Sequence, residues 1–408
     1  MKELRIKFRW ETEFKETEIG KIPKDWEVTN LGDNRFFKIL PSGIKEFEGF
    51  KEYLSTSSVE GSEIVEIEEV ITYNKQPSRA NMQPVENSVW LARMINSPKF
   101  LKANKDLIEN KILSTGFLGI QTKAKETCDY LFYYIQTKEF QEYKDAYVTG
   151  AVQESLTNES AKDLLVIIPP LPEQSRIATI LSWFDDLIEV KKRQNEILEK
   201  IAMAIFKSWF IDFEPFRDGE FVYSEELGKE IPKGWEVKKI GDVINFIYGK
   251  GLPEMNRKEG IYPVVGSSGI VGFHSEYIAE PPTIIIGRKG NAGTVQLFLE
   301  NSYPIDTVFY SSKHTQPEII FYVYHLLKII SLEDLALTDT AVPGLNIHLL
   351  NSLILFLPPS HILQSFHSLV EPLFQKIILN QKQIMTLRKI RDTLLPLLVF
   401  GKLRVEEV

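Results

Sequence analysis

The sequence of this chain repeats itself once, over most of its length. IGKIPKDWEVTNLGD at Ile19–Asp33 returns as LGKEIPKGWEVKKIGD at Leu227–Asp242, with Ile22-Pro23-Lys24, Trp26 and Gly32-Asp33 recurring 209 residues later as Ile231-Pro232-Lys233, Trp235 and Gly241-Asp242. A fainter pair follows. LTNESAKDLLVIIPPLPEQSRIATIL, from Leu156, is echoed by LNIHLLNSLILFLPPSHILQSFHSLV, from Leu345, and Pro169-Pro170 aligns with Pro358-Pro359 at an offset of 189. The offsets differ by 20, so the second variable stretch is the shorter. A solenoid needs several units of roughly 20–50 residues, whereas two units of about 200 predict paired globular domains. Each unit has an opening motif, a variable region, a strand ending in Pro-Pro, and a helical stretch. A chain of 408 residues also exceeds what one hydrophobic core usually serves.

Each helical stretch has coiled-coil periodicity. Ile177, Leu181, Phe184, Ile188, Leu198, Ile205 and Trp209 are apolar, and Lys191, Asn195 and Ala202 occupy the other steps of an alternating three-and-four spacing. A shift of 189 residues reproduces the register at Phe366, Val370, Leu373, Ile377, Asn380, Ile384, Leu387, Arg391 and Leu394. One apolar stripe per helix calls for one partner along it. The spacing predicts a helix from Glu173 to Phe210, about 55 Å long at 1.5 Å per residue, paired antiparallel with its equivalent. Lys191 and Asn380 then lie mid-seam, where polar residues fix register at some cost in stability. The alternative is an amphipathic helix packed on its own domain. Pro372 predicts a kink in the second helix.

Composition restrains the partner only loosely. A net charge of −8 excludes a uniformly basic nucleic-acid binder, but the charge is uneven. Glu60, Glu63, Glu66, Glu68 and Glu69 form an acidic run, and Val70–Val85 follows with Lys75 and Arg79 and no acid. Cys128 is the only cysteine, which excludes an internal disulfide and a multi-cysteine zinc site. The start, MKELRIKFRWETEF, has no apolar core segment, and no stretch approaches the roughly 20 apolar residues of a membrane span. The expected location is cytoplasmic.

Catalytic signatures are missing. Gly287-Arg-Lys-Gly-Asn-Ala-Gly293-Thr294 resembles a phosphate loop but lacks the lysine after its last glycine, and it follows a strand-like Thr283–Ile286. A glycine-rich hairpin or loop with basic tips fits it better. There is no GxGxxG and no Asn-Pro-Pro-aromatic motif. All six histidines lie after residue 273, none in HExxH spacing, and His361 and His367 read as helix-surface residues. No metal or cofactor is expected in the chain. The pattern points to binding rather than catalysis.

Four segments together resemble the specificity subunit of type I restriction–modification enzymes. They are the duplicated Ile-Pro-Lys-x-Trp-Glu-Val; Pro169-Pro-Leu-Pro-Glu-Gln174 running into Ile177-Ala178; Phe206-Lys-Ser-Trp-Phe-Ile-Asp-Phe-Glu-Pro-Phe216; and Leu394-Leu-Pro-Leu-Leu398 with Gly401-Lys-Leu-Arg404. Tyr53–Ser57, Gln76–Met82, Tyr262–Gly269 and Ile286–Gly290 resemble parts of target-recognition domains. The chain departs from the pattern at Val399-Phe400 and in lacking Glu-Gln after the second Pro-Pro.

The resemblance implies an α/β (α+β) protein with a pseudo-twofold repeat. Target-recognition domains would span 1–171 and 214–360, and spacer helices forming an antiparallel coiled coil would span 172–213 and 361–408. It implies double-stranded DNA as ligand, read as a bipartite, asymmetric site. Two modification (methyltransferase) subunits would carry S-adenosylmethionine and methylate adenine, and separate restriction/translocase subunits would cleave. Two unlike readers predict a non-palindromic target, and spacer length should set the gap between half-sites.

The residues suited to DNA contact are polar and basic ones in turn-rich segments. In the first half they are Lys75, Arg79 and Asn81, with Gln153 and Asn158 as weaker choices. In the second they are Arg257, Lys258, Ser267, Ser268, His274, Arg288, Lys289 and Asn291; a solvated loop is the competing reading for each. Trp26 and Trp235 read as core residues. Two other readings stay open: a nuclease fused to its reader, which needs a carboxylate–lysine constellation, and a helical scaffold for protein partners without DNA readout.

Overall fold

A computed structural model describes residues 6–148, 155–312, 315–330, 332–336 and 344–407. The chain folds as two units, Met1–Glu189 with Met385–Val408, and Val190–Ile384. Both are mixed α/β, and the repeat is visible in their shared frame.

In the first unit a tight hairpin, Phe14–Thr17 with Gly20–Pro23, precedes strand Glu27–Asn30, which pairs antiparallel with Leu165–Ile168. In the second, hairpin Phe221–Ser224 with Lys229–Pro232 precedes Glu236–Lys239, which pairs antiparallel with Ile354–Leu357. The offset of 189 between Leu165 and Ile354 also relates the short helices Asn158–Lys162 and Ile347–Ser352. Their N-caps, Thr157 and Asn346, each accept a backbone N–H with a side-chain oxygen. Trp26 and Trp235 are both core residues.

Between these frame elements the units differ. The first holds two four-stranded sheets. One has the order Ala80–Met82, Lys111–Ser114, Lys51–Leu54, Glu69–Ile71; the other Phe100–Lys102, Ser88–Ala92, Phe117–Thr122, Phe37–Ile39. Every residue of Ser88–Ala92 is buried, as expected of a central strand covered on both faces. The second unit has a four-stranded sheet, Phe246–Tyr248, Val308–Ser311, Thr283–Gly287, Val295–Phe298, and a three-stranded one, Gly269–His274, Tyr262–Gly266, Tyr303–Pro304. Its helix Pro317–Ile329 starts on a proline, where no N–H is needed, and buries Ile320 to Leu327 without a gap.

The long helices are Leu171–Phe210 and Ser360–Val399, 40 residues each, or about 60 Å. In the first unit Arg391 Nη1 donates to Asp185 at 2.6 Å. In the second, Lys191 Nζ donates to Gln383 Oε1 at 2.5 Å, Asn380 Nδ2 to Asn195 Oδ1 at 2.9 Å, and the Phe206 and Phe366 rings lie 5.8 Å apart. Rising numbers on one helix meet falling numbers on the other, so within the second unit the segments run antiparallel. Ile177, Leu181, Ile188, Phe366, Val370, Ile377, Asn380 and Ile384 are buried. Phe184, Leu198, Ile205, Leu373 and Leu394 pack against the cores from partly buried positions, and Leu387 is also partly buried.

The second helix runs on through Pro372. It does not fill the expected 361–408. It stops at Val399, Gly401 takes a left-handed φ of +67°, and Leu403–Glu407 pairs antiparallel with Ile6–Trp10. Glycine in that conformation ends helices because it has no Cβ to clash. The two chain termini therefore share one sheet.

Candidate nucleic-acid interface

In the first unit, strands Lys51–Leu54 and Lys111–Ser114 are parallel, so their C-terminal ends lie together. The loop Ser55–Ser58 and the turn Thr115-Gly116 sit at that end. Arg79 joins them: its backbone carbonyl accepts from Thr115 N at 2.8 Å, and its Nη2 would lie 3.9 Å from a Cβ at Gly116. Asn81 follows, its carbonyl accepting from Gly43 N at 2.8 Å. Lys75 occupies a tight turn closed by reciprocal backbone bonds with Thr72. Lys75 and Arg79 are exposed. Asn158 is tied into the unit: its Oδ1 accepts from Arg93 Nη2 at 2.7 Å, while the other Arg93 nitrogens bond Phe117 O and Leu156 O, so that oxygen anchors its own segment. Gln153 lies outside the described residues.

The second unit divides its candidates between two places. Ser267 and Ser268 form the two-residue tip of hairpin Tyr262–Gly266 and Gly269–His274. The loop after Thr283–Gly287 reaches the same place: Thr294 Oγ1 donates to Ser267 O at 2.9 Å, and a Cβ on Gly290 would stand 3.2 Å from Ser267 Oγ. Ser267, Ser268, Lys289 and Asn291 thus cluster at one end, where Ser267, Ser268 and Asn291 border a cleft of about 490 Å³. Arg288 stands at the root of this loop with its guanidinium 4.9 Å from the Tyr248 ring. Arg257, Lys258 and His274 belong to the body and open end of the hairpin. Arg257 Nη1 donates to Val271 O at 2.7 Å. His274 is buried, and its Nδ1 accepts from Lys258 N at 2.9 Å. Its ring braces the hairpin from inside. Only tertiary packing distinguishes such a histidine from an exposed one.

The glycine loop has no phosphate-loop geometry. A strand, Val295–Phe298, follows it in place of the helix that a phosphate loop opens. Among the described residues no group of three His, Cys, Asp or Glu is arranged to hold a metal. The Cys128 thiol is buried, and burial pushes it up to about 11, which leaves it a poor nucleophile.

The family model for the type I restriction modification DNA specificity domain matches this chain twice, over residues 23–200 and 232–389. The chain belongs to that family. It is 38% identical to the type I restriction enzyme MjaIX specificity subunit of Methanocaldococcus jannaschii, over 99% of both chains. It is 24% identical to the HindI specificity subunit of Haemophilus influenzae, over 93% of this chain and 100% of that one. The type I restriction–modification S subunit of M. genitalium shares the fold, with a TM-score of 0.56 at 20% identity over 92% of this chain and 96% of that one. The role of this family member is DNA target specificity.

Sequence reading missed two features of this specificity chain. Tyr248, beneath Arg288, has no local signal, because nothing adjacent in sequence marks it. A second apolar stripe on the first long helix does have one. Trp183 and Leu187 in the first unit, and Val190, Ile197 and Ile201 in the second, are exposed at spacings of three, four and seven. Among the described residues no helix is long and apolar enough to cross a membrane.

Proposed function

We propose that this chain reads a bipartite, asymmetric double-stranded DNA target, with one half-site for each unit. We infer further that its helices dock two modification subunits, which carry S-adenosylmethionine and methylate adenine, while restriction/translocase subunits act on the assembled complex. One observation carries the reading: the two units repeat one frame but carry unlike sheets and loops, and each has exposed basic residues of its own, Lys75 and Arg79 in the first and Lys258 and Lys289 in the second. A repeated frame suits a repeated docking task, and unlike loops suit two different half-sites. The exposed apolar stripe supports docking, since exposed apolar patches mark protein interfaces. The helices would then serve as the spacer; at about 60 Å they exceed one DNA turn of roughly 34 Å.

Adenine-methylation mapping of DNA from cells expressing the full chain with its modification subunits tests this. The expected motif is two short, different words separated by a constant gap. Arg288→Ala should relax one word only, and one heptad inserted into each helix should lengthen the gap and leave both words intact. A continuous motif, or equal loss in both words, overturns the assignment. The scaffold reading predicts no motif at all.

A further inference from the structure

We propose that Tyr248 is a specificity-determining residue, and that Arg288, whose guanidinium lies over its ring, reads a guanine in the half-site of the second unit. The proposal rests on the reading of this unit as a DNA reader and names the base chemistry that it would recognise.

The argument starts from the sheet. Phe309 is fully buried in a strand hydrogen-bonded on both sides. Tyr248 lies opposite Phe309 in the ladder, and the rings meet edge to face at 5.0 Å. That contact holds the Tyr248 ring while leaving it half exposed. On the other side of the same strand, Ile286 and Gly287 pair with Phe309 and Val308, so the next residue, Arg288, emerges beside Tyr248. Its backbone is held at both groups: Arg288 N donates to Thr307 O at 2.8 Å, and Arg288 O accepts from Leu345 N at 3.0 Å. The guanidinium carbon then sits 4.9 Å from the Tyr248 centroid and 6.0 Å from that of Phe309. Gly249 lets the following chain pass flush against the 304–306 loop, since a Cβ there would stand 2.0 Å from Ile305 O.

What Arg288 leaves unused matters most. Its one side-chain hydrogen bond among the described residues is a long contact, 3.4 Å, from Nη1 to Asp306 O, and no carboxylate pairs with it. Arg93 shows the opposite arrangement, with Nε, Nη1 and Nη2 each bonded to a protein oxygen. Arg93 is spent on structure, whereas Arg288 is oriented and available. A planar guanidinium held against a ring presents parallel N–H donors, the geometry that matches guanine O6 and N7 in the major groove. Lys289 is exposed beside it and suits the backbone phosphates. Ordering the arginine before DNA arrives lowers the entropy lost on binding.

The test is selection from a random double-stranded DNA library by the full chain purified with its modification subunits. Wild type should enrich a guanine at one fixed position of one half-site. Arg288→Ala and Tyr248→Leu should each lose about tenfold of the preference at that position, while Tyr248→Phe, which keeps the ring face, retains it. Arg288→Lys keeps the charge and the fold but not the planar fork, and should lose the guanine preference with little loss of overall affinity. Placing 7-deazaguanine there should weaken wild type about tenfold and leave Arg288→Ala unchanged. Preference intact in Tyr248→Leu, an A·T pair at the position, or a uniform loss across all sequences in Arg288→Ala overturns the proposal; the last result would mark a phosphate contact. Enrichment of nothing by wild type would instead defeat the DNA-reading assignment itself.

Discussion

Trp26 and Trp235 stand at equivalent positions 209 residues apart, yet their surroundings are chemical opposites. Trp26 donates its indole N–H to Glu173 Oε2 at 2.9 Å, and Arg404 lies 5.5 Å from its ring. Arg404 also bonds both oxygens of Glu173, Glu11 Oε2 and both oxygens of Asp25. Trp235 instead sits among Phe210, Phe213, Phe216 and Phe356, with ring centroids 5.3 to 5.9 Å away. Where the first unit has Glu173-Gln174 after its Pro-Pro, the second has Ile362-Leu363. The missing Glu-Gln of the second half thus accompanies an aromatic solution to the same packing task. The reason lies in connectivity. In the first unit four segments far apart in sequence, around Glu11, Asp25, Glu173 and Arg404, meet at the tryptophan, and directional ion pairs hold them in register. In the second, Phe210, Phe213 and Phe216 come from the end of the first long helix and the turn after it, Phe356 comes from strand Ile354–Leu357, and together they fill space.

The largest expected effect separates the two junctions. Arg404→Ala leaves Glu173 and Glu11 inside without their cation, and should cost the first unit about 3–5 kcal/mol. Amide hydrogen exchange should accelerate there and stay unchanged in the second unit. Phe210→Ala should do the reverse by a similar amount, through the cavity that it leaves. Equal acceleration in both units after either change would break the comparison.

Acid should separate the units next. Burial holds the His325 imidazole down at about 4, below the ordinary value near 6.5. The unfolded chain therefore binds the proton more readily, and stability present above pH 6.5 is lost as pH falls toward 4. The loss is roughly 3 kcal/mol in the second unit. In the first unit Asp25 is held low by its hydrogen bonds from Arg404. Burial alone would raise Glu11, but the amides of Glu13 and Thr12 and the Arg404 guanidinium outweigh it. These depressed carboxylates keep their contribution until pH falls below about 4. Exchange measured between pH 7 and 4 should therefore loosen the second unit first, and His325→Leu should abolish that slope. Simultaneous loosening would refute the assignment.

The smallest effect is the sharpest. Trp26→Phe should cost about 1 kcal/mol more than Trp235→Phe, because it removes a buried donor from Glu173; the Trp235 indole N–H has no hydrogen bond among the described residues. Melting of the two variants side by side measures the difference.

How much was legible in advance follows the range of the interactions. The duplication, both helices and the core positions of the tryptophans were readable, because periodicity and capping are local. The 361–408 helix was read too long because Leu403–Glu407 becomes a strand only through Ile6–Trp10, at the far end of the chain. What holds Asn158 and His274 in place was not readable, because residue type does not reveal a partner such as Arg93, 65 residues away. Tyr248 was invisible for the same reason, its meaning arising from Phe309 and Arg288 across a sheet.

By itself the sequence determined that this chain has two like frames with unlike inserts and two long amphipathic helices, since repeats and hydrophobic periods are written along the chain. Tertiary structure alone decided which polar side chains are used up inside and which are left for a ligand. A hydrogen-bonding group is satisfied by whatever lies near it in space, and in a sheet that neighbour is seldom near in sequence.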